Sequence, residues 1–194
     1  MAKAEAGERT SITLGFLTVV EHEQHGFFGG YLLLNASARP LEFHCTAPIK
    51  PNRAQEILYG PTLRPYLYGE QIAHTLISKS TAKPVAVCTD EPAVLAVREL
   101  VSLPVALVGD PASAGDQQRG GPAAGRSVRI DAAHQSPRLV SFELGRNRLA
   151  VAAQYEGDRD ELGRRLTSLA DHLDLAEPFE RIRGAIDEAQ RAGK

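Results

Sequence analysis

The stretch PVAVCTDEPAVLAVRELVSLPVALV, residues 84–108, decides the fold class of this chain. It opens and closes with short apolar segments, residues 84–88 and 104–108, which are typical of strands that are buried on both faces of a sheet. Between them, residues 92–101 carry Pro in the first turn and predict a helix. A strand, a short helix and a second strand form a βαβ-like unit. The sequence therefore predicts an α/β or α+β domain.

Upstream of this unit, three segments rich in β-branched and aromatic residues predict an N-terminal antiparallel β-meander with short polar turns. They are residues 12–21 (ITLGFLTVVE), 30–35 (GYLLLN) and 41–46 (LEFHCT). Two helices follow, over residues 53–59 and 65–79. Asn52 is a good N-cap for the first helix, and Gly60 followed by Pro ends it. Both helices are expected to lie on the sheet.

Downstream, residues 109–138 change abruptly to a Gly-, Ala- and Pro-rich composition, which predicts a mobile loop or linker. Residues 139–194 then predict a β-hairpin and two amphipathic helices, the first of them capped by Asp158. We expect this last part to pack on the α/β core of residues 1–108. The chain of 194 residues is then one domain with a loop inserted in it.

The overall charge and composition exclude several classes of protein. The net charge of -2, from 22 basic and 24 acidic residues, provides no field that would attract nucleic acid or anionic lipid. The first eleven residues, MAKAEAGERTS, lack the apolar core of a signal peptide, and no apolar run is long enough to span a bilayer. Cys45 and Cys88 form no CxxC pair, so a reducing cytoplasm is the expected compartment.

The stretch EHEQHGFFGGYLLLNASARPLEFHC, residues 21–45, contains the main candidate for a metal site. In a meander the third strand runs back toward the end of the first, so His22, His25, His44 and Cys45 are expected at one edge of the sheet. These are side chains that Zn²⁺ accepts, although the spacing matches no established zinc motif and no other cofactor is indicated. The alternative is that they are solvated turn and edge residues.

Cys45 is also a candidate catalytic nucleophile. Its thiolate would require a lowered pKa and a nearby base. Successive strand residues point to opposite faces, so His44 is expected to face away from the sulfur, and the base would have to be His22, His25 or His74. The alternative is that Cys45 behaves as a small buried hydrophobic residue.

A second candidate catalytic residue is Asp90, which follows Cys88 at the carboxyl end of a predicted strand. Ligands of α/β sheets bind outside the carboxyl ends of strands, and an Asp at such a place can hold a cation or act as a base. The alternative is that Thr89 or Asp90 caps the helix that begins with Pro92.

Aromatic residues and an arginine form a candidate protein interface, because Tyr and Arg combine a large contact area with a polar tip. They are Tyr31, Tyr59, Arg64, Tyr66 and Tyr68. The alternative is that the rings cover the sheet edge and that their hydroxyl groups reach water.

These patterns favour an intracellular binding or regulatory subunit that acts through contacts with a partner protein or with further copies of itself. The alternative is a metal- or thiol-dependent hydrolase or group transferase that uses the histidines and Cys45. A third hypothesis is a small-ligand sensor around Asp90. The sequence leaves open whether the chain is an enzyme.

Overall fold

A computed structural model describes residues 12–109, 138–170 and 172–192. Its centre is a mixed seven-stranded sheet with the strand order β3-β2-β1-β4-β5-β7-β6. The strands are β1 (Thr13–His22), β2 (Gly26–Asn35), β3 (Pro40–Cys45), β4 (Ala86–Thr89), β5 (Val105–Val108), β6 (Leu139–Leu144) and β7 (Asn147–Ala152). The strands β1, β4 and β5 are parallel, and every other neighbouring pair is antiparallel.

The helices lie between and after these strands. They are α1 (Arg53–Tyr59), α2 (Leu63–Pro65), α3 (His74–Lys79), α4 (Gly157–Ala170) and α5 (Glu177–Ala192), with 3-10 helices at Gly60–Thr62, Pro92–Glu99 and Ala153–Tyr155 and a π-helical segment at Tyr66–Ala73. The predicted mixed α/β fold with its meander, βαβ-like unit, hairpin and C-terminal helices is confirmed. Most of the predicted loop, residues 110–137, lies outside the described residues. No helix of the described chain is long and apolar enough to cross a membrane.

The sheet is covered on both faces, which explains why its central strands are almost wholly apolar. Along β1, Leu14 and Phe16 face a core formed with α4 and α5, and the ring of Phe16 meets that of Phe179 edge to face at 5.8 Å. Leu17 and Val19 face the opposite core, which is formed with the π-helical segment, α3 and the 3-10 helix Pro92–Glu99. Burial on both faces favours a continuous apolar strand over an alternating one.

At the glycine pair of β2, Gly29 and Gly30, the helical layers on the two faces approach the sheet closely. A Cβ atom on Gly29 would lie 2.1 Å from Cγ2 of Ile72, and one on Gly30 would lie 2.2 Å from Cγ2 of Ile182. Both distances are far below van der Waals contact. The absence of side chains at these two positions therefore allows α5 and the π-helical segment to pack directly on β2.

Two predicted helix caps are wrong. Asp158 does not serve as the cap of α4, because its carboxylate accepts two hydrogen bonds from Arg98, at 2.7 and 3.0 Å, and so ties α4 to the 3-10 helix Pro92–Glu99. That 3-10 helix lies where a helix was predicted for residues 92–101, and neither Thr89 nor Asp90 caps it with its side chain. Thr89 instead accepts a hydrogen bond from the Glu91 amide at 3.1 Å, before the helix begins.

The substitution Gly30→Ala should lower the free energy of unfolding by about 2 kcal/mol, the usual cost of forcing an extra methyl group into a packed core. Chemical denaturation measures this loss. The matched control is Gly184→Ala in α5, where an added Cβ meets nothing within 4 Å. Since Ala favours a helix over Gly, that variant should gain about 0.5 kcal/mol. Equal effects of the two substitutions would contradict the close packing at Gly30.

Candidate functional site

The candidate site is a helical arm, residues 53–65, made of α1, the turn Gly60–Thr62 and α2. None of its residues is buried. Ile57 and Leu58 on α1 expose 66% and 81% of their surface, the highest values among the exposed large hydrophobic residues of the described chain. The arm thus presents aliphatic side chains to the outside of the protein.

Local interactions hold α1 in place. The side chain of Asn52 accepts a hydrogen bond from the Gln55 amide at 2.9 Å, and the side chain of Gln55 accepts one from the Asn52 amide at 3.0 Å. This complete capping box confirms the predicted N-cap, and Gly60, with φ +50°, ends the helix as predicted. A seven-residue helix is marginal by itself and usually depends on packing. Because α1 buries no residue, its caps supply the stabilisation that packing would otherwise give.

The base of the arm carries aromatic rings and an arginine. The rings of Tyr59 and Tyr66 are stacked, with centroids 4.3 Å apart and planes at 23°, and their hydrogen bond raises the pKa of Tyr59. Arg64 reaches Glu21 at 3.4 Å and lies 5.9 Å from the centre of the Tyr68 ring. Tyr59, Arg64 and Tyr66 are at least partly exposed, so they can contact a partner.

The interface prediction does not hold for Tyr31 and Tyr68. Their side chains belong to the core and expose 0% and 3% of their surface. Burial raises the pKa of both phenols well above the usual range. The Tyr31 hydroxyl lies over Gly15, where a Cβ atom would come within 2.5 Å of it, and it has no hydrogen-bond partner among the described residues. Both rings are therefore part of the hydrophobic core on one face of the sheet.

The predicted metal ligands do not gather at one edge of the sheet. His22 and His25 lie together at the β1–β2 turn, with their Nδ1 atoms 3.1 Å apart. His22 is opposite Gly26, however, whereas His44 is opposite Tyr31. Five residues along β2 correspond to about 17 Å, so His44 is remote from the turn. Within the part of the chain that the structure describes, no three His, Cys, Asp or Glu side chains are arranged to hold a metal ion.

His44 instead belongs to a network around Glu42. The carboxylate of Glu42 accepts hydrogen bonds from the His44 ring at 2.9 Å and from the amides of Thr81 and Ala82 at 3.1 and 2.7 Å. The hydroxyl groups of Ser80 and Thr81 also donate to it. The bond from His44 and those from the chain after α3 lower the pKa of Glu42 to about 2. This carboxylate fastens the edge strand β3 to the end of α3.

The substitution Glu42→Gln should destabilise the protein at neutral pH, because the folded state favours the ionised carboxylate. The folded pKa of about 2 lies below the ordinary value of 4.5, so the stabilisation is complete above pH 4.5 and is lost as the pH falls toward 2. Urea unfolding of both proteins across this range measures the difference, which should shrink on acidification. The control is Glu23→Gln at the exposed β1–β2 turn. A difference in unfolding free energy between wild type and Glu42→Gln that grows on acidification would contradict the stabilising role of the ionised Glu42 carboxylate.

Cys45 is exposed at the end of β3 and lies opposite Gly30 of β2. It shares the face of the sheet that packs on α5, whereas His44 shares the other face, as the alternation along the strand predicted. Cys45 lines a half-open groove of about 220 Å³. The other lining residues are Phe28, Thr46, Ile186, Ala189 and Gln190. The thiol is accessible, and its catalytic role stays a prediction.

Asp90 lies at the carboxyl end of β4, as predicted, but it is engaged in a contact with α5. One carboxylate oxygen pairs with Arg183, while the other is buried without a partner among the described residues. Burial and the charge of Asp90 raise the pKa of the adjacent Glu91 to about 7. Burial also raises the pKa of Cys88 to about 12, which leaves that thiol unreactive. The roles predicted for Asp90, as catalytic residue or ligand sensor, stay predictions.

The cap of α1 was predictable from the sequence, whereas the exposure of Ile57 and Leu58 was not predicted. The available signal was the capping box itself, since Asn52 and Gln55 have the spacing that allows a short helix to stand without tertiary packing.

The described residues thus define a mixed α/β domain that carries a capped, apolar helical arm. A comparison of the chain with models of known protein families finds no match, and a comparison with curated proteins finds none either.

Proposed function

We propose that this protein is a binding subunit that recognises a partner protein through the helical arm. The observation that carries the proposal is the exposure of Ile57 and Leu58 on a helix that buries no residue. Fully burying one side chain of this size contributes about 1.5–3 kcal/mol of favourable free energy. Ile57 and Leu58 are exposed in the described chain, so a partner that covers both would gain this free energy on binding.

The apolar residues of the arm have the spacing of a helix that binds in a groove. Ala54, Ile57 and Leu58 stand at positions i, i+3 and i+4, on one face of α1, and Pro61 follows at i+7 in the next turn. All four are exposed. The matching partner surface is therefore an apolar groove.

The residues at the base of the arm suit the rim of such an interface. Tyr59 and Tyr66 form a stacked pair whose hydroxyl groups can bond across the contact, and Arg64 is the cation nearest to them in sequence. Aromatic and arginine side chains are enriched among the residues that dominate binding energies. The groove of the partner is thus expected to have acceptor groups at its border.

The substitutions Ile57→Lys and Leu58→Lys, made together, should weaken partner binding by about 100-fold or more, because the loss of one central apolar anchor typically costs about 2 kcal/mol. Proteins that co-purify with the wild type in stoichiometric amounts are identified by quantitative mass spectrometry, and the affinity of the leading one is then measured with purified components. Neither side chain is buried, so the thermal stability of the variant should be unchanged.

The matched control is Leu100→Lys, which replaces an exposed aliphatic residue, 48% accessible, outside the arm. Binding should survive this substitution. Retention of the same partner with the same affinity by the double arm variant would overturn the proposal.

A further inference from the structure

The turn between β1 and β2 brings two histidine rings into contact. The His25 amide donates to the His22 carbonyl at 3.2 Å, so the backbone bends back between the two residues. The ring centroids are 4.5 Å apart with planes at 73°, and the two Nδ1 atoms are 3.1 Å apart. Imidazole nitrogen is a preferred ligand of Zn²⁺, Cu²⁺ and Ni²⁺. Two such nitrogens therefore face each other at one place on the surface.

The separation of the two Nδ1 atoms is that of a pair of ligands on one metal ion. Imidazole nitrogen binds Zn²⁺ at about 2.0–2.1 Å. Two nitrogens 3.1 Å apart can both lie at this distance from a single ion, and the angle between the two bonds is then about 100°. This angle falls between those of square-planar and tetrahedral coordination, which late transition metals adopt. The pair thus has the spacing of a chelate.

The protonation of the rings also suits a metal ligand. The Gln24 amide donates to Nδ1 of His22 at 3.3 Å, so this nitrogen carries a lone pair and the ring proton is on Nε2. The Nδ1 atom of His25 then donates to Nδ1 of His22. When an ion binds, the proton of His25 moves to Nε2 through solvent, which frees the Nδ1 lone pair while both rings stay neutral. Gln24 is exposed, so water can replace the hydrogen bond that its amide loses.

The turn is held in place by the rest of the fold. The His22 ring packs edge to face against Phe28, with the centroids 6.4 Å apart. Gly26 has φ +92°, and a Cβ atom there would lie 2.4 Å from the carbonyl oxygen of Ile49. Phe27 exchanges two backbone hydrogen bonds with Ile49, at 2.8 and 2.9 Å. An ion therefore has little backbone freedom to remove on binding, and such preorganisation favours affinity.

We propose that His22 and His25 form a chelating surface site for one divalent late transition-metal ion. Cu²⁺ is the ion expected to bind most tightly, since it stands highest in the affinity order of the divalent first-row metals. His44 lies about 17 Å away along β2, so it supplies no third ligand and water fills the remaining positions of the ion. The site uses no residue of the helical arm and is independent of the proposed function.

Titration with copper sulfate tests the site on the full chain, purified without an affinity tag. Electron paramagnetic resonance of the wild type should show one tightly bound Cu²⁺ with hyperfine structure from two imidazole nitrogens. His22→Ala and His25→Ala should each raise the dissociation constant for Cu²⁺ at least tenfold, because each leaves a single ligand. The double variant should be little weaker than either, since two ligands of one chelate act as a unit. Acid should release the ion, because protons compete for the nitrogens.

The matched controls are His74→Ala and His172→Ala, which remove exposed histidines outside the turn and should leave the dissociation constant unchanged. Thermal unfolding without metal checks that each variant is folded, and His25→Ala is the cleanest of them because His25 is exposed. The double arm variant of Ile57 and Leu58 should bind Cu²⁺ like the wild type. Equal affinity of the wild type and the double histidine variant would overturn the proposal, as would hyperfine structure from one nitrogen alone. So would a control that loses as much affinity as His25→Ala.

Discussion

The packing at Gly29 and Gly30 is the constraint on which the rest of the structure depends. These two residues let Ile72 and Ile182 reach the backbone of β2 from opposite faces, and both β2 and its neighbour β1 are largely buried. The buried apolar residues of the helices that cover the sheet are thereby packed against its strands. The exposed apolar residues of α1 and β3 take no part in this packing. They are Ile57, Leu58, Leu41 and Phe43.

The elements that depend on local patterns were predictable from the sequence. The apolar strands β4 and β5 and the capped helix α1 were found because each of these signals lies within a few residues. The distance of His44 from the β1–β2 turn is a non-local property, since it depends on how far that hairpin extends past the end of β3. The strand β2 begins at Gly26, four residues before its predicted start, and this extra length separates His44 from the turn.

The orientation of the tyrosines shows a second limit of sequence reasoning. Tyr is amphipathic, and its position in a strand or helix does not reveal which side is covered. Tyr31 and Tyr68 are therefore buried although they have the composition of an interface, while Tyr59 and Tyr66 remain near the surface. Exposure of Ile57 and Leu58 was not predicted, because apolar residues at helical spacing normally indicate a packed face, and the capping box of Asn52 and Gln55 was the one local signal against that interpretation.

Recognition of a partner by Ile57 and Leu58 requires that α1 is folded before any partner covers it. Nuclear magnetic resonance of the isolated protein tests this through the Cα chemical shifts of residues 53–59. Helical shifts over this range, lost when Asn52 is replaced by Ala, are the predicted result, since the capping box is what holds the helix. Coil-like shifts in the wild-type protein would contradict the account, because Ile57 and Leu58 would then present no preformed surface.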